Sequence, residues 1–213
     1  MSDDGVLMQG WRGIALKAAA LLGWLALGIE LYQNCQAEGS LLGGLGIFFS
    51  YFTVLTNILA ALVLTSAATA GDSTVRRFFL SPSLQGGVSA SVVLVALVYN
   101  VLLRVPLSAQ EFQWVPDELM HDVMPVLFLV YWWFGVTRGG LQWRHLPPWL
   151  IYLLVYFVYI LIRGRLIGSY PYYFIEVDAL GYPQVFINAG EVLLVFVLES
   201  LALIAVDRWQ GER

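Results

Sequence analysis

The chain of 213 residues is 59% hydrophobic and only 12% charged, whereas a soluble domain is roughly half apolar and a quarter charged. Its formal net charge is -4 at pH 7 and it contains no basic cluster, which excludes a nucleic-acid-binding surface. The composition therefore predicts an all-α, polytopic membrane protein.

Cysteine and terminal patterns add few constraints. Cys35 is the single cysteine, so an internal disulfide is impossible, and no residue spacing is typical of a metal or cofactor site. Residues 1–10 are polar and acidic, and no small-residue cleavage pattern follows the first apolar run. We therefore expect no cleaved signal peptide, no metal and no cofactor.

Apolar stretches long enough to cross a bilayer, which takes roughly 20 helical residues, recur along the whole chain. Turn-forming or proline-containing segments separate them, including GDSTVRR, WVPD and RHLPP. We predict one membrane domain over residues 1–213, with no internal repeat and no soluble domain between spans. The predicted spans are six: 12–33, 41–66, 84–105, 117–137, 147–163 and 184–206.

Basic residues predict the orientation, because positively charged connections stay on the cytoplasmic side. With both termini inside, only Arg104, Arg163 and Arg165 lie outside, where acidic residues such as Glu111 also lie. The other basic residues then fall inside: Arg12, Lys17, Arg76, Arg77, Arg138, Arg144, Arg208 and Arg213. The sequence thus favours an N-in, C-in topology.

The second predicted span carries a polar stripe. Thr53 and Asn57 lie one helical turn apart, with Ser50 and Thr56 close to the same face. A hydrogen-bonding side chain is costly against hydrocarbon, so we expect the stripe to face the interior of the bundle. A purely structural interpretation stays open, because membrane threonines often bond to the preceding turn and asparagines often join helices.

Polar residues of other predicted spans fall at a similar depth in the outer half of the membrane. They are Asn100, His121, Asn188 and Glu191. A carboxyl group in hydrocarbon is a functional candidate, and histidine is the usual proton carrier. Pro125 removes the N–H that would bond to the His121 carbonyl, so the helix is expected to bend there. A shared polar pocket that opens outward accounts for this set.

Four short motifs, in this order, resemble the landmarks of one family. The family comprises the androgen-induced and androgen-dependent TFPI-regulating membrane proteins and their bacterial relatives, described as predicted six-helix membrane proteins. The motifs are YFTVLTN at 51–57, LMHDVMP at 119–125, GSYPYYFIE at 168–176 and AGEVLL at 189–194. The resemblance implies a hydrolase of fatty acid esters of hydroxy fatty acids in a bacterial inner membrane. The predicted topology then places its site toward the periplasm.

The resemblance also implies site residues, with Thr53 as the nucleophile and His121 as the base. Asp122 follows the histidine where the animal motif has hydroxyl residues, which changes the local charge. Thr56 is close enough to Thr53 to be an alternative nucleophile. Glu118 lies one turn before His121 and could orient its ring, whereas Asp122 points away from it.

Each supporting residue has more than one candidate role. The amide group of Asn57, Asn100 or Asn188 could meet the negative charge that develops in acyl transfer. Arg163 either holds a substrate carboxylate or anchors its helix at the interface. Tyr170, in the aromatic segment 168–174, belongs either to a cover over the pocket or to the interfacial aromatic belt.

The leading hypothesis is a membrane-embedded lipid ester hydrolase that takes a fatty-acyl ester from the bilayer and has no nucleic-acid partner. One alternative is a small transporter or proton-linked channel built on His121, Asp122, Glu191 and Glu199. Another is a lipid-binding membrane protein without catalytic activity. The lack of an internal repeat disfavours transport.

Overall fold

The computed structural model describes residues 3–104 and 114–213, and the regular structure in these residues is all helical. This confirms the all-α part of the predicted fold class. Glu111 and the end of the third predicted span at residue 105 lie outside the described residues. The helices are α1 Asp3–Glu38, α2 Leu41–Phe48, α3 Phe52–Ala68, α4 Thr74–Phe79, α5 Pro82–Val98, α6 Trp114–Glu118, α7 Met124–Gly135, α8 Leu146–Ile167 and α9 Val177–Gly211.

Several of these helices are long and apolar enough to cross a membrane. Single helical segments of this kind are Gly10–Glu38, Pro82–Leu103, Trp143–Ile167 and Val177–Gly211, and the pair α2 and α3 forms a fifth candidate. The described residues therefore give four or five candidate spans, compatible with an integral membrane protein. The fourth predicted span corresponds to α6, α7 and the turn between them, and its acidic residues and histidine make it less apolar.

The second predicted span is broken rather than continuous, which corrects the prediction for 41–66. Helices α2 and α3 are bent by 86° relative to each other. At the break, the Ser50 hydroxyl donates to the Gly46 carbonyl, and the Tyr156 hydroxyl donates to the Ser50 carbonyl at 2.8 Å. Because α8 satisfies this carbonyl, the chain can interrupt its helix within the bundle, and α3 begins there.

Two wider, π-helical turns lie beside each other, at Tyr99–Leu103 after α5 and at Leu119–Val123 between α6 and α7. Pro125 explains the second, because it has no N–H to donate to the His121 carbonyl. The Met124 N–H bonds to the Leu119 carbonyl instead, one residue further back than in an α-helix. The helix that was expected to bend near Pro125 thus has a π-helical turn just before it.

Apolar packing on both sides of α3 fixes these irregular segments. Phe52 belongs to a buried cluster with Leu94, Ile160 and Phe196 of α5, α8 and α9. A second buried cluster, which includes Val63 and Met124, joins α1, α3, α5 and α7. Helix α3 is therefore packed against two parts of the core, one at its start and one in its second half.

Candidate active site

The side chains of Thr53 and His121 meet in the interior of the bundle. Thr53 is the second residue of α3, and His121 lies in the π-helical turn before α7. The distance between Thr53 Oγ1 and His121 Nε2 is 3.1 Å, and the residues are only 6% and 8% exposed. A hydroxyl and an imidazole nitrogen at this separation have the geometry of general base catalysis.

A backbone carbonyl fixes the His121 ring. Its Nδ1 lies 2.8 Å from the carbonyl oxygen of Asp117. A carbonyl can only accept a hydrogen bond, so Nδ1 carries the proton of the neutral ring and donates it. Nε2 is then unprotonated and accepts from the Thr53 hydroxyl. This tautomer is the one that a base acting on a hydroxyl requires.

One face of the imidazole is covered by Tyr99. The two rings stack with their centroids 3.9 Å apart and their planes 14° apart. The Arg104 guanidinium lies 5.5 Å from the centre of the Tyr99 ring and forms ion pairs with Glu118 and Asp122. Glu118, which could have oriented His121, pairs with Arg104 instead. Asp122 also pairs with Arg104.

The Tyr172 hydroxyl lies against the N-terminal end of α3. The Phe52 N–H donates to the Tyr172 hydroxyl oxygen at 3.1 Å, and this hydroxyl also interacts with the side chain and backbone of Thr53. Because the N-cap residue Tyr51 makes no side-chain cap, Tyr172 satisfies an N–H that the helix leaves unpaired. Burial raises the pKa of Tyr172, so the phenol keeps its proton at neutral pH.

An apolar cavity of about 330 Å³ opens beside the Thr53–His121 pair. Aliphatic and aromatic side chains of α3, α5, α8 and α9 line it, and its polar members are Thr53, His121, Tyr156 and Tyr172. Leu154 of α8 and Phe186 of α9, both in its wall, are 46% and 57% exposed. The cavity therefore reaches the outer surface of the bundle between α8 and α9, and its walls suit an acyl chain.

A smaller and more polar cavity of about 190 Å³ lies on another side of the same pair. Its wall includes the carboxyl groups of Glu30 and Asp117. The residues that line both cavities are Thr53, Leu103, His121 and Tyr172. The hydroxyl–imidazole pair thus lies at the junction of an apolar space and a polar one.

Asn57 lies behind the pair and connects its two helical segments. Its Nδ2 donates to the carbonyls of Thr53 at 2.9 Å and of Met120 at 3.1 Å, so both amide protons are engaged. The residue is 1% exposed. Asn57 therefore does not supply the predicted donor for developing negative charge and joins α3 to the π-helical turn instead.

The other two asparagines are also engaged away from the cavities. Asn100 donates to the Ala96 carbonyl and to Asp122 Oδ1. Asn188 donates to the Phe174 carbonyl at 2.7 Å. The structure does not bring these amides to the two cavities, because Asn100 joins α5 to Asp122 and Asn188 joins α9 to the segment before it.

Three further predicted site residues lie outside the walls of both cavities. Arg163 is 8% exposed and donates to the Ser169 carbonyl at 3.0 Å, so it organises the segment after α8. Tyr170 packs on Gly164, where an added Cβ would lie 2.0 Å from the Tyr170 ring. Glu191 is exposed on α9.

The geometry distinguishes the two threonines that the sequence left as alternatives. Thr56 Oγ1 lies 3.3 Å from the Tyr152 hydroxyl, whereas Thr53 Oγ1 contacts the His121 imidazole. Tyr172 was not among the predicted site residues, since the sequence pattern favours no one tyrosine of the aromatic segment 168–174 over the others. Within the part of the chain that the structure describes, no group of three or more His, Cys, Asp and Glu is placed to hold a metal ion.

Neither the known protein families, nor the curated proteins, nor the solved structures contain a match to this chain. The functional assignment therefore depends on the geometry of the site.

Proposed function

We propose that the protein is a membrane-embedded hydrolase of fatty-acyl esters, with Thr53 as the nucleophile and His121 as the general base. The observation that carries the proposal is the 3.1 Å contact between the Thr53 hydroxyl and the unprotonated Nε2 of His121. The proposal is also supported by the position of this contact between an apolar cavity and a polar one.

The reaction proceeds by acyl transfer. His121 Nε2 takes the Thr53 proton as Oγ1 bonds to the ester carbonyl carbon, and the protonated imidazole then gives that proton to the departing alkoxide. Water then loses a proton to His121 and bonds to the acyl carbon. As the bond from that carbon to Thr53 Oγ1 breaks, the imidazolium returns the proton to Oγ1 and the fatty acid is released. The hydrogen bond from Nδ1 to the Asp117 carbonyl stabilises the imidazolium that forms in each half-reaction.

We assign the acyl chain and the alcohol part of the ester to different cavities. The acyl chain occupies the apolar cavity and enters from the bilayer between α8 and α9, while the alcohol part faces the polar cavity. A hydroxy fatty acid ester, the substrate that the family resemblance implies, brings a free carboxylate toward Glu30 and Asp117. Arg163 is turned to the Ser169 carbonyl, so we expect esters of neutral alcohols to be the better substrates.

We further propose six membrane crossings with both termini inside and the site opening toward the periplasm of a bacterial inner membrane. In this topology α2 with α3 forms one broken crossing, and α6 with α7 forms another. The distribution of basic residues supports it. Cysteines placed at exposed Ser169 or Ser73 in a Cys35→Ser background test it. A membrane-impermeant thiol reagent applied to intact cells should label only the cysteine at position 169.

Hydrolysis of fatty-acyl esters by the purified protein in detergent or nanodiscs tests the function. A panel should vary the acyl chain and compare neutral with carboxylate-bearing alcohols. We expect Thr53→Ala and His121→Ala each to lower kcat by at least about 10³-fold. Thr56→Ala, the matched control, should stay within a few-fold of the wild type. Full activity in Thr53→Ala would refute the proposed nucleophile.

A lipid-binding function without catalysis is the second candidate, and the apolar cavity that reaches the surface between α8 and α9 favours it. The same panel separates the two functions. If fatty acids or their esters co-purify with the protein while no ester is turned over, the protein is a lipid-binding protein and the Thr53–His121 contact is structural.

A further inference from the structure

A hydrolase that uses a threonine needs a donor at the ester carbonyl oxygen as well as a base. Negative charge develops on that oxygen when Oγ1 attacks, and a preorganised hydrogen bond to it commonly supplies a large part of the rate enhancement. Asn57, Asn100 and Asn188 are engaged with backbone carbonyls or with Asp122. The donor must therefore be another group beside Thr53.

We propose that the Tyr172 hydroxyl is this donor, an inference that rests on the proposed hydrolase function. Tyr172 lines both cavities together with Thr53 and His121, so its side chain borders the space in which an ester bound at Thr53 would react. It reaches this position from the segment between α8 and α9, which folds back over the start of α3.

The hydrogen bonds around Tyr172 fix its oxygen and direct its proton toward Thr53. The Phe52 N–H donates to this oxygen at 3.1 Å, so the oxygen is used as an acceptor. The neighbouring Tyr156 hydroxyl interacts with the Tyr172 hydroxyl and donates its own proton to the Ser50 carbonyl. Because Thr53 gives its own proton to His121 Nε2, the Tyr172 hydroxyl can bond to Oγ1 only as a donor. The oxyanion that forms beside Oγ1 can take over this hydrogen bond without movement of the ring.

The start of α3 makes the same position favourable for negative charge. The first N–H groups of a helix have no partner within the helix, and the aligned peptide dipoles place partial positive charge there. Thr53 is the second residue of α3. The negatively charged substrate oxygen and the Tyr172 hydroxyl that donates to it therefore both lie at this positive end of the helix.

The proton and electron positions are consistent through the step. The Thr53 Oγ1–carbon bond forms, the carbonyl π pair moves to the carbonyl oxygen, and the Thr53 proton moves to His121 Nε2. Tyr172 keeps its proton and shares it with the oxyanion. When the carbonyl re-forms, the bond to the alcohol oxygen breaks, His121 protonates that oxygen, and Tyr172 is unchanged.

The test compares Tyr172→Phe with Tyr173→Phe, which removes the same hydroxyl from the neighbouring residue. Tyr173 is exposed and donates to the Leu102 carbonyl. With an ester that the wild type hydrolyses, we expect Tyr172→Phe to lower kcat about 10²- to 10³-fold with KM within about 3-fold, and Tyr173→Phe to behave as the wild type.

A trifluoromethyl ketone that carries the same acyl chain separates donation from positioning. It forms a tetrahedral adduct with the nucleophile and so contains the oxyanion, whereas the product fatty acid does not. Tyr172→Phe should weaken inhibition by the ketone by the same factor as kcat/KM and leave inhibition by the fatty acid unchanged. Equal weakening of both inhibitors, or a rise in KM alone, would show that Tyr172 only positions α3.

Failure of this inference differs from failure of the proposed function. If the wild type hydrolyses esters and Tyr172→Phe is equally active, the donor is another group and the hydrolase remains. If the wild type hydrolyses no ester in the panel and forms no adduct with the ketone, both proposals are refuted.

Discussion

Asn57 offers a quantitative test of how the site is held together. In Asn57→Ala, the Met120 carbonyl loses its side-chain donor in a buried environment, next to the residue that carries the imidazole. An interhelical hydrogen bond in a membrane protein is worth about 0.6 kcal/mol on average and up to ~1.7 kcal/mol. An unsatisfied buried carbonyl adds about 1 kcal/mol or more. We expect a loss of about 2 kcal/mol in the free energy of unfolding.

For a chain of this length, that loss lowers the melting temperature by about 4 to 8 °C. The assay is thermal unfolding of the protein in detergent, followed by tryptophan fluorescence, together with kcat for an ester substrate. Asn100→Ala is the matched control, because Asn100 makes its hydrogen bonds at an exposed position, and its melting temperature should fall by about 2 °C or less.

The combination of the two measurements decides the role of Asn57. A connecting residue lowers the melting temperature and also lowers kcat, because the π-helical turn that carries His121 loses its link to α3. A residue that donated to the oxyanion would instead lower kcat about 10²-fold or more with an unchanged melting temperature. That second result would refute the assignment of both amide protons to backbone carbonyls.

Two glycine substitutions test the cavity and the segment after α8. Gly190 lines the apolar cavity, and an added Cβ there would meet no atom within 4 Å. Gly190→Leu should therefore fold and lower kcat/KM for long-chain esters about 10-fold or more while sparing short-chain esters, and equal loss for both would contradict the assigned acyl position. Gly164→Ala brings a Cβ to 2.0 Å from the Tyr170 ring, so we expect a loss of about 1 to 3 kcal/mol in the free energy of unfolding. Gly28→Ala is the control for both substitutions, because its Cβ would also meet no atom within 4 Å. If Gly28→Ala and Gly164→Ala had the same melting temperature, the packing argument would be refuted.

The sequence was sufficient to predict the membrane character and to single out Thr53 and His121 as candidates. Composition and apolar length indicate helices in lipid because a bilayer makes polar groups costly. The same cost makes a threonine within a polar stripe and a histidine before a proline conspicuous. These are local signals, and both residues lie in the segments that contact each other.

The sequence could not predict the break in the second span or the roles of the amides. The break between α2 and α3 is stabilised by the Tyr156 and Tyr172 hydroxyls, which are more than one hundred residues away in the chain. Asn57 was a candidate because of its residue type, but its role depends on where the Met120 carbonyl points. Tyr172 could not be separated from Tyr170 and Tyr173, since only the fold decides which of the three rings reaches α3.

The identity of the nucleophile is tested most directly by locating a covalent adduct. The wild-type protein in detergent is treated with a long-chain alkyl fluorophosphonate, digested, and analysed by mass spectrometry of the peptides that cover α3. We predict a phosphonyl group on Thr53, and its loss in His121→Ala. An adduct on Thr56 or Ser50, or an adduct on Thr53 that forms equally fast without the imidazole, would contradict the proposed pair.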